Sequence, residues 1–263
     1  EASLTPNLDR LAAGAECGLH EPVAPGVTPG SGPAHLAVFG YDPLRYTVGR
    51  GVLSALGVDF DLRPGVVAAR GNFCTLDEDG NVTDRRAGRI YTERNRELVA
   101  ELDGIELEGA TVMVRTVKEH RFLLVLRGDG LSGEVKDTDP QVTGHPPRDP
   151  APSSPEGERS ARLLAGFLDR ARSLLAGHHP ANMVLLRGFS TLPDWPLFPD
   201  VFGVRAAAVA GYPMYRGVAR LVGMEVLPSG DGLEAQLEAV ARAWDDHDFF
   251  YIHVKQLDSA GED

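Results

Sequence analysis

Ser31 stands between Gly30 and Gly32 in the stretch "APGVTPGSGPAHLAVFGYDP", positions 24–43. The surrounding glycines and prolines predict a tight turn, and Ala34 to Phe39 predicts a helix beginning beside the hydroxyl. A helix N-terminus offers unpaired N–H groups and the positive end of a dipole, which suits a phosphate or a phosphoserine. A serine there serves equally as an N-cap or turn residue, and the residues alone favour that plainer role. His35, four positions on, can share the serine's face. By itself it reads more simply as a packed, hydrogen-bonded histidine.

Two further groups could do chemistry. In "FFYIHVKQLDSAGED" a strand-like run enters a loop carrying Asp258, Glu262 and Asp263. Ligands of open α/β sheets gather beyond the carboxyl ends of strands, and carboxylates clustered there suit a divalent cation. A solvated acidic loop is the competing reading. The other group is arginine: Arg85, Arg86 and Arg89 in "DRRAGR", Arg70 beside Asn72 in "ARGNF", and Arg121 and Arg127 after His120 in "EHRFLLVLRG". Arg187, Arg216 and Arg220 complete it. The planar guanidinium fork suits bidentate contacts to phosphate and carboxylate. Arginines beside strand-like segments of an acidic chain suggest an anion pocket, although any single one is as well an ion-paired surface residue.

The elements that must position these residues follow from periodicity. "TPNLDRLAAGAECG" predicts a short helix with Thr5 as N-cap, Pro6 in its first turn and Gly14 near its end. Residues 66–73 predict a strand, and 110–117 and 121–127 two more across the Lys118–His120 turn. A Pro-, Asp- and Ser-rich loop follows. Residues 156–177 predict a helix burying Leu163, Leu164, Phe167, Leu168, Leu174 and Leu175. Short buried strands at "NMVLL" and "VRAAAVAG" precede a helix near 214–223. Another amphipathic helix is marked by Leu233, Leu237, Val240, Ala241 and Trp244, and "FFYIHV" predicts a central strand. Alternating strands and helices in the last third argue for an α/β sheet, and the hairpin-rich middle for a separate α+β unit.

The 263 residues suffice for one large or two modest domains, and the net charge of −12 argues against a general nucleic-acid binder. No apolar run reaches membrane-spanning length. Cys17 and Cys74 are too few for a disulfide framework and lack metal-ligand spacing, which points to a reducing cytosol.

"TPNLDRLA", "APGVTPGSGPAHLAVFGYDP", "GRGVLSALG", "ARGNF", "DRRAGR", "GLSGEVKDTDP" and "HVKQLDSAGED" occur in an order that resembles the archaeal-type 2,3-bisphosphoglycerate-independent phosphoglycerate mutases, a branch of the alkaline phosphatase superfamily. The resemblance covers essentially the whole chain and overrides the turn-serine reading of Ser31. It implies an alkaline-phosphatase-like α/β sheet with helices on both faces, from residues 1–45 and 196–263. An inserted α+β transferase-like domain would span 46–195. It further implies interconversion of 2-phosphoglycerate and 3-phosphoglycerate in the cytoplasm, through a phosphoserine on Ser31 and without bisphosphoglycerate. Two divalent ions are implied, manganese first, with magnesium, cobalt or zinc as alternatives; their ligands here would include Ser31, Asp258 and Glu262.

Substrate would be held by Arg70, Asn72, Arg85, Arg86, Arg89, His120, Arg121, Arg187 and Arg216. The partner implied is a small anion, not nucleic acid or membrane, and homo-oligomerisation is left open. Several positions depart from the family pattern. Glu262 replaces a frequent histidine, Gly32 and Pro33 replace the usual Asp-Thr, and Arg216 replaces a substrate lysine. The family's N-terminal strand with its metal-binding aspartate and its C-terminal Asp-His segment lie outside these residues. The resemblance therefore implies that this chain alone is inactive and that the intact protein is the enzyme. A homoserine kinase-like or phosphomonoesterase activity on the same scaffold, or a non-catalytic phosphoglycerate-binding homologue, are the alternatives.

Overall fold

The computed structural model describes residues 4–27, 29–230, 232–255 and 257. Two compact units divide the chain at residues 47 and 48.

The first unit carries two helices. α1 (Pro6–Ala13) has Thr5 at its N-cap, Pro6 in its first turn and Gly14 at its C-cap, as the sequence predicts. α2 (Ser31–Val38) starts three residues earlier than expected, after an extended Gly30. Ser31 therefore belongs to the first helical turn and does not precede it. Pro33 is no obstacle, because first-turn N–H groups have no intrahelical partner to lose.

The second unit holds two sheets. After α3 (Arg50–Gly57), the antiparallel sheet is built from β1 (Val67–Leu76), β2 (Val82–Asp84), β3 (Thr111–Lys118), β4 (Arg121–Arg127) and β5 (Met183–Ser190). β1 is central: it pairs with β4 on one side and β5 on the other, and β2 joins its far end. The tight 118–121 turn closes the β3–β4 hairpin where the apolar runs predict it. α4 (Thr92–Asp103) and α5 (Glu158–Leu175) bury Leu98, Leu102, Leu164, Phe167 and Leu175 against Phe73, Phe122 and Leu124 of the sheet. Each such side chain contributes roughly 1.5–3 kcal/mol of burial. Leu174, expected on that face, is exposed. It lies about 100° around the helix from Leu175, toward water.

The second sheet is parallel. After α6 (Phe198–Phe202) come β6 (Ala206–Ala210), α7 (Pro213–Leu221), β7 (Glu225–Val226), α8 (Leu233–Arg242) and β8 (Phe249–His253), in strand order β7-β6-β8. β8 was expected to be central. Among the described residues it pairs only with β6, and its side chains are half-buried or exposed. α8 also differs from expectation, since Gln236, Ala239 and Val240 face inward while Leu233, Leu237, Ala241 and Trp244 are exposed. There Gln236 Nε2 donates to the His253 carbonyl at 3.1 Å, while Oε1 is buried without a hydrogen-bond partner among the described residues.

α3 and α7 join the two sheets through glycines. A Cβ on Gly217 would come within 2.1 Å of the Leu53 carbonyl oxygen, and one on Gly57 within 2.2 Å of that of Pro213. A Cβ on Gly51 would likewise stand 2.1 Å from the Ala68 carbonyl oxygen. Only a missing side chain permits these approaches, and they seat α3 on the face of β1 opposite α4 and α5. The result is a mixed α/β architecture, antiparallel in the middle of the chain and parallel in its last third.

Candidate functional site

Antiparallel pairing gathers the site. Arg70 lies opposite Arg187 on one side and Leu123 on the other, and Asn72 lies opposite Arg121 and Leu185. Cross-strand partners share a face, and so do residues two apart. Arg70, Asn72, Arg121 and Arg187 therefore stand together, on the face that α3 partly covers. A cavity of about 40 Å³ opens there, lined by Arg50, Leu53, Ser54, Arg70, Arg121 and Tyr212 among others.

Arg50 reaches this place through close backbone contact. A Cβ on Gly49 would stand 2.4 Å from the Gly188 carbonyl oxygen, and one on Gly188 (φ 61°) 2.5 Å from the Arg50 nitrogen. The Ser54 hydroxyl donates to the Arg50 carbonyl at 2.8 Å. Sequence reasoning missed Arg50 and Tyr212. The available signal was an arginine bracketed by glycines in "GRG", where two missing side chains mark a close approach.

The electrostatics divide these cations. Arg85 grips Asp139 with two bonds, Nε to Oδ1 at 2.9 Å and Nη2 to Oδ2 at 2.7 Å. Arg187 lies 3.3 Å from Asp139 and 3.6 Å from Asp137, and Arg121 lies 3.1 Å from Glu119. Burial raises the Asp139 carboxyl, but the Arg85 hydrogen bonds, the Gln141 N–H and the nearby guanidiniums outweigh it and hold the group below its ordinary value. Arg70 is pushed down to about 10, first by burial and then by Arg50, Arg187 and Arg121. Its Nε is buried without a hydrogen-bond partner among the described residues.

His120 is only 1% exposed. Asn95 secures its turn, donating from Nδ2 to the carbonyls of Glu119 at 2.6 Å and Arg121 at 2.9 Å. Burial lowers the imidazole to about 3, with Arg121, Arg86, Arg89 and Arg70 adding to the effect. The ring is thus neutral at physiological pH, and its Nδ1 is buried without a hydrogen-bond partner among the described residues. Arg86 and Arg89 are exposed at the rim, on a loop tied by the Asp84 carboxylate, which accepts from the Arg86 N–H at 2.8 Å and the Gly88 N–H at 2.6 Å. Ala87 and Arg89 take left-handed backbone there (φ 47° and 53°), a strained conformation for such residues.

Other expected residues fall elsewhere. Arg216 is not part of the cluster; it pairs with Asp59 at 2.6 Å, and Arg220 pairs with the same carboxylate. Both line a separate cleft with Ala210, Gly211 and Leu227, at the carboxyl ends of β6 and β7. Ser31 is exposed, and its carbonyl lies 2.6 Å from His35 Nδ1. Asp258 and Glu262 lie outside the described residues. Among the described residues no group of three or more His, Cys, Asp or Glu could hold a metal ion. Cys17 and Cys74 are free, and no helix of the described residues is long and apolar enough to cross a membrane.

A sheet face that collects guanidinium groups around a small hollow thus belongs to a mixed α/β protein. Residues 12–182 match the sequence model of the 2,3-bisphosphoglycerate-independent phosphoglycerate mutases. A Thermus thermophilus protein described as a probable mutase of this kind is 52% identical, aligned over 100% of this chain and 66% of its own length. A Deinococcus radiodurans protein with the same description is 48% identical over 98% and 65%. Among solved structures, the cofactor-independent phosphoglycerate mutase of Thermoplasma acidophilum superposes with TM-score 0.67 at 33% identity, covering 95% of this chain and 69% of that one. The chain belongs to the 2,3-bisphosphoglycerate-independent phosphoglycerate mutase family. It spans just under two thirds of the length of the curated relatives it matches.

Proposed function

We propose that the protein interconverts 2-phosphoglycerate and 3-phosphoglycerate without bisphosphoglycerate, using Ser31 as the phosphoryl carrier. Family membership supports this, and the observation that carries it is the cationic sheet face formed by Arg70, Arg121 and Arg187 with Asn72 and His120. A phosphoglycerate has two anionic ends. Guanidinium groups in a partly desolvated hollow bind such ends strongly and neutralise charge on the transferring phosphoryl oxygens.

In this proposal the Ser31 oxygen attacks phosphorus as its proton departs. The bond from phosphorus to the substrate hydroxyl breaks, and that oxygen takes up a proton. Glycerate then reorients while held by Arg85, Arg86, Arg89 and their neighbours, and its other hydroxyl takes the phosphoryl group back from Ser31. His120, held neutral, orients the glycerate by hydrogen bonding. Arg216, although it pairs with Asp59 in the separate cleft, is the further cation that the resemblance offers in place of a substrate lysine. Divalent metal, manganese first, would supply activation of the serine hydroxyl, with Ser31, Asp258 and Glu262 among its ligands. The domain assignment belongs to the same proposal: residues 1–45 and 196–263 as an alkaline-phosphatase-like part, and 46–195 as the insertion. So does a cytoplasmic location, with which two free cysteines agree.

The test incubates the full-length polypeptide carrying this sequence with 3-phosphoglycerate and manganese, without bisphosphoglycerate or ATP, and follows phosphate position by phosphorus NMR. Formation of 2-phosphoglycerate by wild type but not by Ser31→Ala supports the proposal. Release of inorganic phosphate alone would replace it with a phosphomonoesterase, and turnover only of homoserine with ATP would replace it with a kinase.

A further inference from the structure

Three nearby cations already have carboxylates: Arg85 and Arg187 share Asp139, Arg187 also has Asp137, and Arg121 has Glu119. Arg50 and Arg70 have no carboxylate within ion-pair distance among the described residues, yet both line the same hollow. Burial lowers Arg50 first, and Arg187 lowers it further. Two positive charges are thus held close together and partly out of water, with Asp137 and Asp139 acting on Arg50 only from beyond ion-pair distance. Partly buried charges are ordinarily paired. At about 40 Å³ the hollow exceeds the space a single water needs by only a few-fold, which suits one compact oxyanion and no larger body.

We propose that Arg50 and Arg70 form a niche for a single dianion of the phosphate class, and that Arg50 is a substrate-binding residue of this protein. Charge balance selects the dianion, because a monoanion such as a carboxylate would leave one guanidinium uncompensated. A tetrahedral oxyanion suits this: Arg50 comes from α3 and Arg70 from β1, and several oxygens can meet both at once. The Leu53 and Tyr212 side chains wall the hollow, and their apolar surface strengthens the charge interaction by excluding water. Identifying the dianion as the phosphoryl group of a substrate rests on the mutase proposal; the niche itself does not.

The experiment titrates this chain with inorganic phosphate by calorimetry, at a pH where the dianion predominates. Wild type, Arg50→Gln, Arg70→Gln and Arg63→Gln are compared, and acetate serves as a competing monoanion. Arg63 is exposed, paired with Asp61 at 2.9 Å, and outside the niche. Arg50→Gln and Arg70→Gln should each weaken phosphate binding by at least about tenfold, as expected for a lost charged hydrogen bond. Arg63→Gln should leave it unchanged, and acetate should compete poorly. Thermal melts check folding: Arg50→Gln should melt at or above the wild-type temperature, because it removes a repelled cation.

Phosphate binding that is absent, or unaffected by Arg50→Gln, overturns the proposal, as does acetate competing on equal terms or a variant that melts well below wild type. Phosphate binding that needs Arg50, in a protein that fails to interconvert phosphoglycerates, keeps the niche and sinks the mutase. Interconversion with an Arg50-independent niche does the reverse.

Discussion

Arg70 on β1 stands directly opposite Arg187 on β5, so two guanidinium groups face each other across an antiparallel pair. Like charges placed so are destabilising. The two residues are not equivalent, however, because Arg187 has two aspartates within 4 Å and Arg70 has none among the described residues. Arg187→Gln should destabilise the fold by about 1–3 kcal/mol, since it leaves Asp139 more poorly compensated. Arg70→Gln should be neutral or slightly stabilising, as expected where a residue is retained for binding. Urea unfolding of the two variants decides. The opposite order would mean that Arg70 is a structural residue.

His120 gives a prediction about pH. Its folded value of about 3 lies below the ordinary histidine value near 6.5, so protonation favours the unfolded chain. Its contribution is complete above the unfolded value and is lost as pH falls from there toward the folded one. Between pH 7 and pH 5 wild type should lose about 2 kcal/mol relative to His120→Gln. Urea titrations at the two pH values measure this. A parallel decline in both proteins would show that His120 protonates in place.

Gly217→Ala tests the seam between α3 and α7. Its Cβ would lie 2.1 Å from the Leu53 carbonyl oxygen, a backbone atom with little freedom to withdraw. A loss of about 1–3 kcal/mol is expected, as for other overpacked contacts. Leu53 lines the cavity, so phosphate binding should weaken as well. A wild-type melting temperature would mean that the helices separate at no cost.

How far the sequence reveals this molecule depends on which interactions place each residue. The β3–β4 hairpin, the β1 strand and α5 follow from local apolar periodicity, and they appear within a few residues of expectation. The orientation of α8 was not legible. Leu233, Leu237 and Trp244 look like its buried stripe, yet the small and polar face is the one that meets β6 and β8, and Leu233 and Trp244 remain 50% and 65% exposed. Periodicity reports that a helix is amphipathic without saying what lies against it. The cluster of arginines was legible as a list, because residues of one type recur beside strands. Its internal division was not. Asp139 comes to Arg85 across 54 positions of chain, and no local signal foretells that pairing or the solitude of Arg50 and Arg70.

Asp139 offers the sharpest test of that division. The side chain is fully buried, and it accepts two hydrogen bonds from Arg85 and one from the Gln141 N–H at 2.8 Å, with Arg187 3.3 Å away. Asp139→Asn removes the charge that Arg85 and Arg187 share, and breaking a buried pair of this kind costs about 3–5 kcal/mol. The Asp139 carboxyl titrates below its unfolded value, so its contribution is present above the ordinary carboxylate range and disappears as pH falls through the folded value. Wild type should therefore be well above Asp139→Asn in stability at pH 7, and the gap should begin to close only below about pH 4. His120 is common to both proteins and cancels in the difference. Urea unfolding at pH 7, 5 and 3 measures the gap. A gap that stays constant across that range would mean the stabilisation comes from shape and neutral hydrogen bonding, and that Asp139 does not hold Arg85 and Arg187 by its charge.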